Sequence, residues 1–437
     1  MSERSSFGGK AGFILAAAGS AVGLGNIWRF PTLAAQHGGG TFLVVYLIII
    51  IMFGALLLTT EIAIGRKTRK SPIDAFTALR PSAKWIGILA VVVPTIILPY
   101  YCVIGGWVVS YLGTYLIGGT ATGATFFGDL VGSWIAVVAF LIFFGVTMAV
   151  IWLGVTNGIE RLSKIFMPLL LILVIGLTIY VLLQPEMAGG ITYYVSFNWS
   201  DVDSETFTAA LGQAFFSLSL AMGIMITYGS YMKKDENIEN CAFSIGIIDT
   251  CVAMICGLMI VPMAFSMYGK ADMPAGAGLV FNSLPQIFDG MTGAGIVAII
   301  FFILLFIAAW TSSISIAEAI ISTIMDKTGM SRRRAVVVLT IPMIIAGIII
   351  CMGYGPLDFI TFEGQTILDM LDNLANKIIM PIVAFSTCIL IGHIVGCKVV
   401  IDEVESSGRF KLKMFYPLIV KWVAPVCIAV IFITGFW

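Results

Sequence analysis

Residues 19 to 31 read GSAVGLGNIWRFP within an otherwise apolar stretch, and three glycines in seven residues should break the helix that this stretch would form. At mid-membrane such a break bares carbonyls and amides that lipid cannot satisfy, so it survives only where it lines a cavity inside the protein or binds ions. A second break is expected at FFSLSLAMG, residues 215 to 223, where serines and a glycine fall at mid-span. Asp249 lies alone in an apolar run, where a charge costs about 2.5 to 3.5 kcal/mol or more and so marks a functional site. In AAWTSSIS, residues 308 to 315, Thr311, Ser312 and Ser313 add hydroxyl oxygens. Hydroxyls in membrane helices ordinarily bond back to their own helix or to a neighbour, so this cluster gains weight only beside the first break. Together these groups imply a solute handled inside the bilayer.

The elements that must position them are membrane helices. A chain with 59% hydrophobic and 11% charged residues and a mean hydropathy of +1.04 is not a soluble globular protein. Runs of about 20 apolar residues mark spans. They fall at 11–35, 42–65, 87–118, 130–153, 162–184, 207–231, 241–268, 293–325, 334–353, 373–397 and 415–436, eleven in all. The two breaks each open a block of five spans, and an odd block places the second upside down relative to the first. The expected division is 1–200 for the first repeat with the amino-terminal segment and an outer loop, 201–400 for the inverted repeat, and 401–437 for the last helix. With the amino terminus in the cytoplasm and the carboxy terminus outside, every Lys and Arg except Arg29, Lys270 and Lys377 stays on the inner side.

Other classes are poorly served. Zero formal net charge disfavours a nucleic-acid partner, and the eight cysteines show no CxxC spacing, so they read as packing residues. His37 and His393, the only histidines, cannot build a metal site between them. No Ser/His/Asp set or nucleotide loop suggests an enzyme, and no small-residue cleavage site suggests a signal peptide.

GSAVGLGNIWRFP, HGGG at 37 to 40 and QAFFSLSLAMGIMITYGSY at 213 to 231 closely resemble the neurotransmitter:sodium symporters, which have the leucine-transporter fold. The resemblance implies an all-α membrane protein with a 5+5 inverted repeat, one extra helix, and broken first and sixth spans. It further implies sodium-driven uptake of an amino acid by alternating access, with spans 1, 2, 6 and 7 rocking against the rest. Sodium, a hard ion, favours oxygen ligands such as unwound carbonyls, hydroxyls and amides.

By resemblance, one sodium site uses the Ala21 carbonyl, Asn26, Ser217, Asp249 and the substrate carboxylate. A second uses carbonyls of Gly19, Val22 and Ala308 with the hydroxyls of Thr311 and Ser312. Chloride-dependent members have a neutral residue where Asp249 aligns, so no chloride requirement is expected; Tyr46 and Gln213, at other chloride positions, would hold Asp249. Amine-selective members have an aspartate where Gly23 stands, so this ligand must bring its own carboxylate. The amides of Leu24 and Gly25 and the Tyr101 hydroxyl would meet that carboxylate. Ser20, Ile97, Tyr101, Phe216, Ser219, Met222, Ser312 and Ile316 would line the side-chain pocket, which lacks charge and implies a neutral ligand. Met222, where some relatives have a bulky aromatic, leaves room for aromatic or branched hydrophobic amino acids.

The resemblance also assigns gates. Arg29 and Asp372 would form the outer pair above Phe216 and Tyr101; Arg4 and Asp326 would form the inner one, near Tyr231 and Ser230, with Phe7 where many relatives have tryptophan. Gly158 and Pro168 reproduce a Gly-x9-Pro spacing at which relatives unwind the cytoplasmic end of span five. Glu61 and Glu318 are further charges at membrane depth, read as structural. The rival reading is an amino-acid-gated or amino-acid-conducting channel or receptor without uphill transport, against which paired breaks with two gates speak. Eleven spans and short tails suggest a bacterial inner-membrane protein.

Overall fold

The structure, a computed structural model, describes residues 5–121, 124–269, 273, 276–361 and 364–434. Among them, nine helices are long and apolar enough to cross a membrane. They are α3 (Gly40–Thr68), α4 (Pro81–Leu116), α5 (Trp134–Leu153), α6 (Val155–Leu182), α9 (Ile238–Tyr268), α10 (Ala294–Thr328), α11 (Arg332–Met352), α12 (Ile367–Ile394) and α13 (Tyr416–Ile433). The first expected span is a pair, α1 (Lys10–Ala21) and α2 (Gly25–Gln36), bent by 53° at its break. The sixth is also divided, into α7 (Ser204–Ser217) and α8 (Ile224–Tyr231).

One departure in span boundaries is at α12, which starts before the apolar run expected at 373. Its first turn is polar because Thr366 and Asp369 form a reciprocal capping box there, satisfying amides that a hydropathy window ignores. The amino-terminal end of α6 is a wide π turn over Val155–Glu160, preceded by Gly154 at φ 88°. This is the segment in which Gly158 and Pro168 suggested an opening.

Burial separates central from lipid-facing helices. From Ala16 to Ala21 every residue of α1 is buried, so this helix has no face for lipid. In α6, by contrast, Ile165, Ile172 and Ile179 recur every seven residues and are exposed, an apolar stripe suited to lipid contact. Helix α8, which follows the second break, meets α3 with backbones touching: a Cβ on Gly65 would lie 2.0 Å from the Ile226 carbonyl oxygen, and one on Gly229 would lie 2.4 Å from that of Ile62. Reciprocal glycines of this kind let α3 and α8 pack as closely as helices can.

Candidate functional site

The first break is closed largely by its own residues. Helix α1 ends where Val22 turns to extended backbone, its amide donating to the Ala18 carbonyl. The Gly23 amide then donates to Asn26 Oδ1 at 3.1 Å and the Leu24 amide to the Tyr101 hydroxyl at 3.3 Å. A Cβ at Gly23 would sit 2.5 Å from Ser312 Oγ and 2.9 Å from the Tyr101 hydroxyl, and one at Gly25 would sit 2.7 Å from the Phe216 ring. The glycines therefore permit close packing as well as the turn.

The second break is held from outside. Ser219 and Ala221 take left-handed backbone at φ 52° and 63°, followed by Gly223 at 67°. Non-glycine residues in that region cost about 1–3 kcal/mol each and need support from their surroundings. Glu61 of α3 supplies it, its buried Oε1 accepting the Ala221 amide at 2.7 Å. Its charge at membrane depth was the visible signal; its partner, 160 residues away, was not.

Between the breaks lies Asp249, with 0% exposure. Asn26 Nδ2 donates to Asp249 Oδ1 at 2.7 Å and to its backbone carbonyl at 3.1 Å, and Ser217 Oγ donates to Oδ2 at 2.7 Å. Gln213 Nε2 donates to the Gly25 carbonyl at 3.1 Å, tying α7 to α2 rather than to Asp249. Asn26, Ser217 and Asp249 thus form one oxygen-rich cluster; Ala21, the buried end of α1, lines the cavity described below.

On the other side of α1, Ser312 Oγ approaches the carbonyls of Gly19, Ser20 and Val22 at 3.4, 3.0 and 3.4 Å. Thr311 Oγ1 instead bonds back within α10, to the carbonyls of Ile307 and Ala308 at 3.0 and 3.2 Å. Gly19 packs against the same helix, its notional Cβ 3.4 Å from the Cβ of Thr311. Gly19, Val22, Ala308, Thr311 and Ser312 therefore lie in one place, and two of their carbonyls converge on a single hydroxyl.

Above these clusters is a cavity of about 30 Å³ lined by Ser20, Ala21, Gly23, Gly25, Ile97, Tyr101, Phe216, Ser219, Met222, Ser312 and Ile316. All eight residues expected to line the side-chain pocket are among them; of the other expected substrate contacts, Leu24 faces the vestibule described next and Ser217 is turned to Asp249. Ser219 Oγ donates to the Ser20 carbonyl at 3.2 Å, stitching the two breaks together across this cavity.

Tyr101, Phe216 and Gly25 separate the small cavity from a vestibule of about 800 Å³ that also contains Arg29 and Asp372. These two share the vestibule but bind other groups. The Arg29 guanidinium stacks on Phe216, 4.9 Å from the ring centroid, while Asp372 accepts from Tyr100 at 2.9 Å and Asn376 at 2.6 Å. Tyr100 was not anticipated from the sequence.

At the opposite end the chain is closed. Phe7, fully buried, packs edge-on against Phe13, Tyr228 and Tyr231, and its amide donates to the Tyr231 carbonyl. Asp326 accepts the Ser71 amide at 2.7 Å; Arg4 lies outside the described residues. Glu318 is held by both Arg332 nitrogens, at 2.5 and 2.7 Å, and by the Tyr231 hydroxyl at 2.7 Å. Glu160, beside Gly158, accepts the Gly8 amide at 2.7 Å, linking the amino-terminal segment to the π turn of α6.

This architecture recurs in known proteins. The family model for the sodium:neurotransmitter symporters matches residues 4–119 and 130–437. The chain belongs to the sodium:neurotransmitter symporter family. Its fold is that of the leucine transporter, as in the crystal structure of MhsT in complex with L-phenylalanine, to which it is 36% identical with a TM-score of 0.90, covering 99% of this chain and 100% of that one. It is 33% identical to an uncharacterized sodium-dependent transporter of Haemophilus influenzae over 99% of this chain and 98% of that protein. To the sodium-dependent serotonin transporter of Drosophila melanogaster it is 26% identical, over 98% of this chain and 76% of that protein. As a family member this symporter is a sodium-dependent, multi-pass membrane transporter and not an enzyme.

Proposed function

We propose that this symporter takes neutral, hydrophobic or aromatic L-amino acids into the cell with sodium and without a chloride requirement. The observation that carries this reading is the Asn26–Asp249–Ser217 cluster, a carboxylate held between both broken spans. A fixed negative charge there supplies what chloride supplies elsewhere in the family. The uncharged lining of the adjacent cavity supports a neutral side chain, and its volume of about 30 Å³ requires Met222, Phe216 or Ile97 to move for an aromatic one.

In this reading Ala21, Asn26, Ser217 and Asp249 surround one sodium, and Gly19, Val22, Ala308, Thr311 and Ser312 a second. The substrate carboxylate meets the Leu24 and Gly25 amides and the Tyr101 hydroxyl, which in this structure stands at the Leu24 amide. The amine meets carbonyls of the second break. The gates close in turn: Arg29 and Asp372 at the outer vestibule, and Phe7, Tyr231 and Asp326 with Arg4 at the other end. The repeats 1–200 and 201–400 and the last helix, 401–437, are assigned to a bacterial inner membrane, with the amino terminus in the cytoplasm and the carboxy terminus outside.

The test is uptake of labelled phenylalanine, leucine, alanine, lysine and glutamate into proteoliposomes. Uphill accumulation of the neutral ligands that is lost when potassium replaces sodium, and unchanged when gluconate replaces chloride, is the expected result. Preference for lysine or glutamate, or flux that only equilibrates, would refute the proposal.

A further inference from the structure

A third cavity lies far from the ion clusters, on the lipid-facing side of the bundle. It is a groove of about 540 Å³ between the end of α5, with Gly145, Met148, Ala149 and Trp152, and the start of α11, with Val336 and Ile341. It offers no free polar group: its one hydroxyl, on Thr340, already donates to the Val336 carbonyl at 2.8 Å. Small residues deepen it, since a Cβ added to Gly145 would meet nothing within 4 Å.

One end of the groove is strongly basic. Helix α11 begins Arg332-Arg333-Arg334, with no acidic residue in its first turn and no side-chain cap on its free amides. Positive side chains at a positive helix end repel one another and the dipole unless an anion joins them. Arg332 is committed to Glu318. Arg333 and Arg334 are exposed and, among the described residues, form no ion pair. The Arg333 guanidinium lies over the Trp152 ring, 5.6 Å from its centroid, which sets it at the mouth of the groove. Tryptophan and arginine side by side at a helix end mark the headgroup level of a bilayer.

We propose that this groove is a binding site for one anionic diacyl phospholipid of the phosphatidylglycerol class. An acyl chain lies along Gly145, Ala149 and Ile341, and the phosphate is held by Arg333, Arg334 and the first amides of α11. Basic pockets between helices at this depth recognise anionic headgroups, and the apolar groove adds selectivity for a molecule that also carries a chain.

Native mass spectrometry of the full-length protein in detergent, titrated with phosphatidylglycerol, phosphatidylcholine or glycerol 3-phosphate, tests this. At about five-fold per arginine, phosphatidylglycerol should be retained roughly 25-fold over phosphatidylcholine. The double substitution Arg333→Gln with Arg334→Gln should bring that ratio near one. Gly145→Leu, which fills the groove without touching the bundle, should reduce retention of both lipids with its melting temperature kept. Equal retention of the two lipids, a preference that survives the double substitution, glycerol 3-phosphate binding as tightly as the whole lipid, or a lipid-free dimer lost on Gly145→Leu would each overturn the proposal.

Discussion

Asp249→Asn isolates the charge of the central cluster from its shape. Asparagine can keep both contacts, its carbonyl accepting from Asn26 and its amide donating to Ser217, which now sit 2.7 Å from the two carboxylate oxygens. What changes is their strength: a hydrogen bond to a charged group contributes about 1.5–3 kcal/mol and a neutral one about 0.5–1.5. Weakening both costs about 2 kcal/mol in the arrangement proposed to receive sodium, or roughly 30-fold in its half-saturation. The fold should survive, because the substitution removes a charge from a fully buried position. The assay is amino-acid uptake in proteoliposomes across a sodium titration, in chloride and in gluconate. The unaltered protein should respond equally in both anions, and the variant should show a raised sodium requirement that chloride partly relieves. Chloride stimulation of the unaltered protein, or a variant with an unshifted sodium curve, would refute the reasoning.

Gly23→Ala places a methyl 2.5 Å from Ser312 Oγ, and equilibrium binding of labelled substrate should fall about five-fold or more, from an overpacking cost of about 1–3 kcal/mol. Glu61→Leu strands the Ala221 amide and should lower stability by about 1–3 kcal/mol, read as an earlier melt, whereas Glu61→Gln retains an acceptor and should recover most of it. Phe7→Ala removes a fully buried ring worth about 3–5 kcal/mol to the closed inner end, so a cysteine placed at Ser230 should label faster from the amino-terminal side of the bundle. Burial, reinforced by Asp235 and opposed by Lys233 and Arg66, raises the Glu236 carboxyl in the loop before α9. A raised carboxyl destabilises the folded state once ionised, so Glu236→Gln should melt later at neutral pH, with the gain fading as pH falls through the carboxylate range.

What the sequence discloses depends on how local the physics is. Most spans, both breaks and nearly the whole cavity lining were legible because hydropathy, glycine spacing and the family motifs act over short windows. Asp249 was legible because a lone charge in an apolar run admits few explanations. Glu61 and Glu318 were equally visible as charges, yet their partners, Ala221 and Arg332, became visible only when helices distant in sequence or separated by a turn were brought together. Tyr100 gave no signal at all beside Tyr101, since only the helix phase decides which of two adjacent tyrosines faces Asp372 and which faces Leu24. Arg29 and Asp372 were expected as a pair; they line one vestibule, but Arg29 stacks on Phe216 and Asp372 binds Tyr100 and Asn376, partners set by this conformation and not by composition.

Gly23 bears on how such transporters change their diet. An aspartate at this position, the feature that marks amine-selective members, cannot be installed in this chain by one substitution, because even its first carbon collides with Ser312 and Tyr101. Those two residues must shrink or turn aside beforehand, and each already serves the backbone of the break. Gaining that aspartate is therefore an ordered path in a chain built like this one, whose early steps loosen the first break before the new charge is in place.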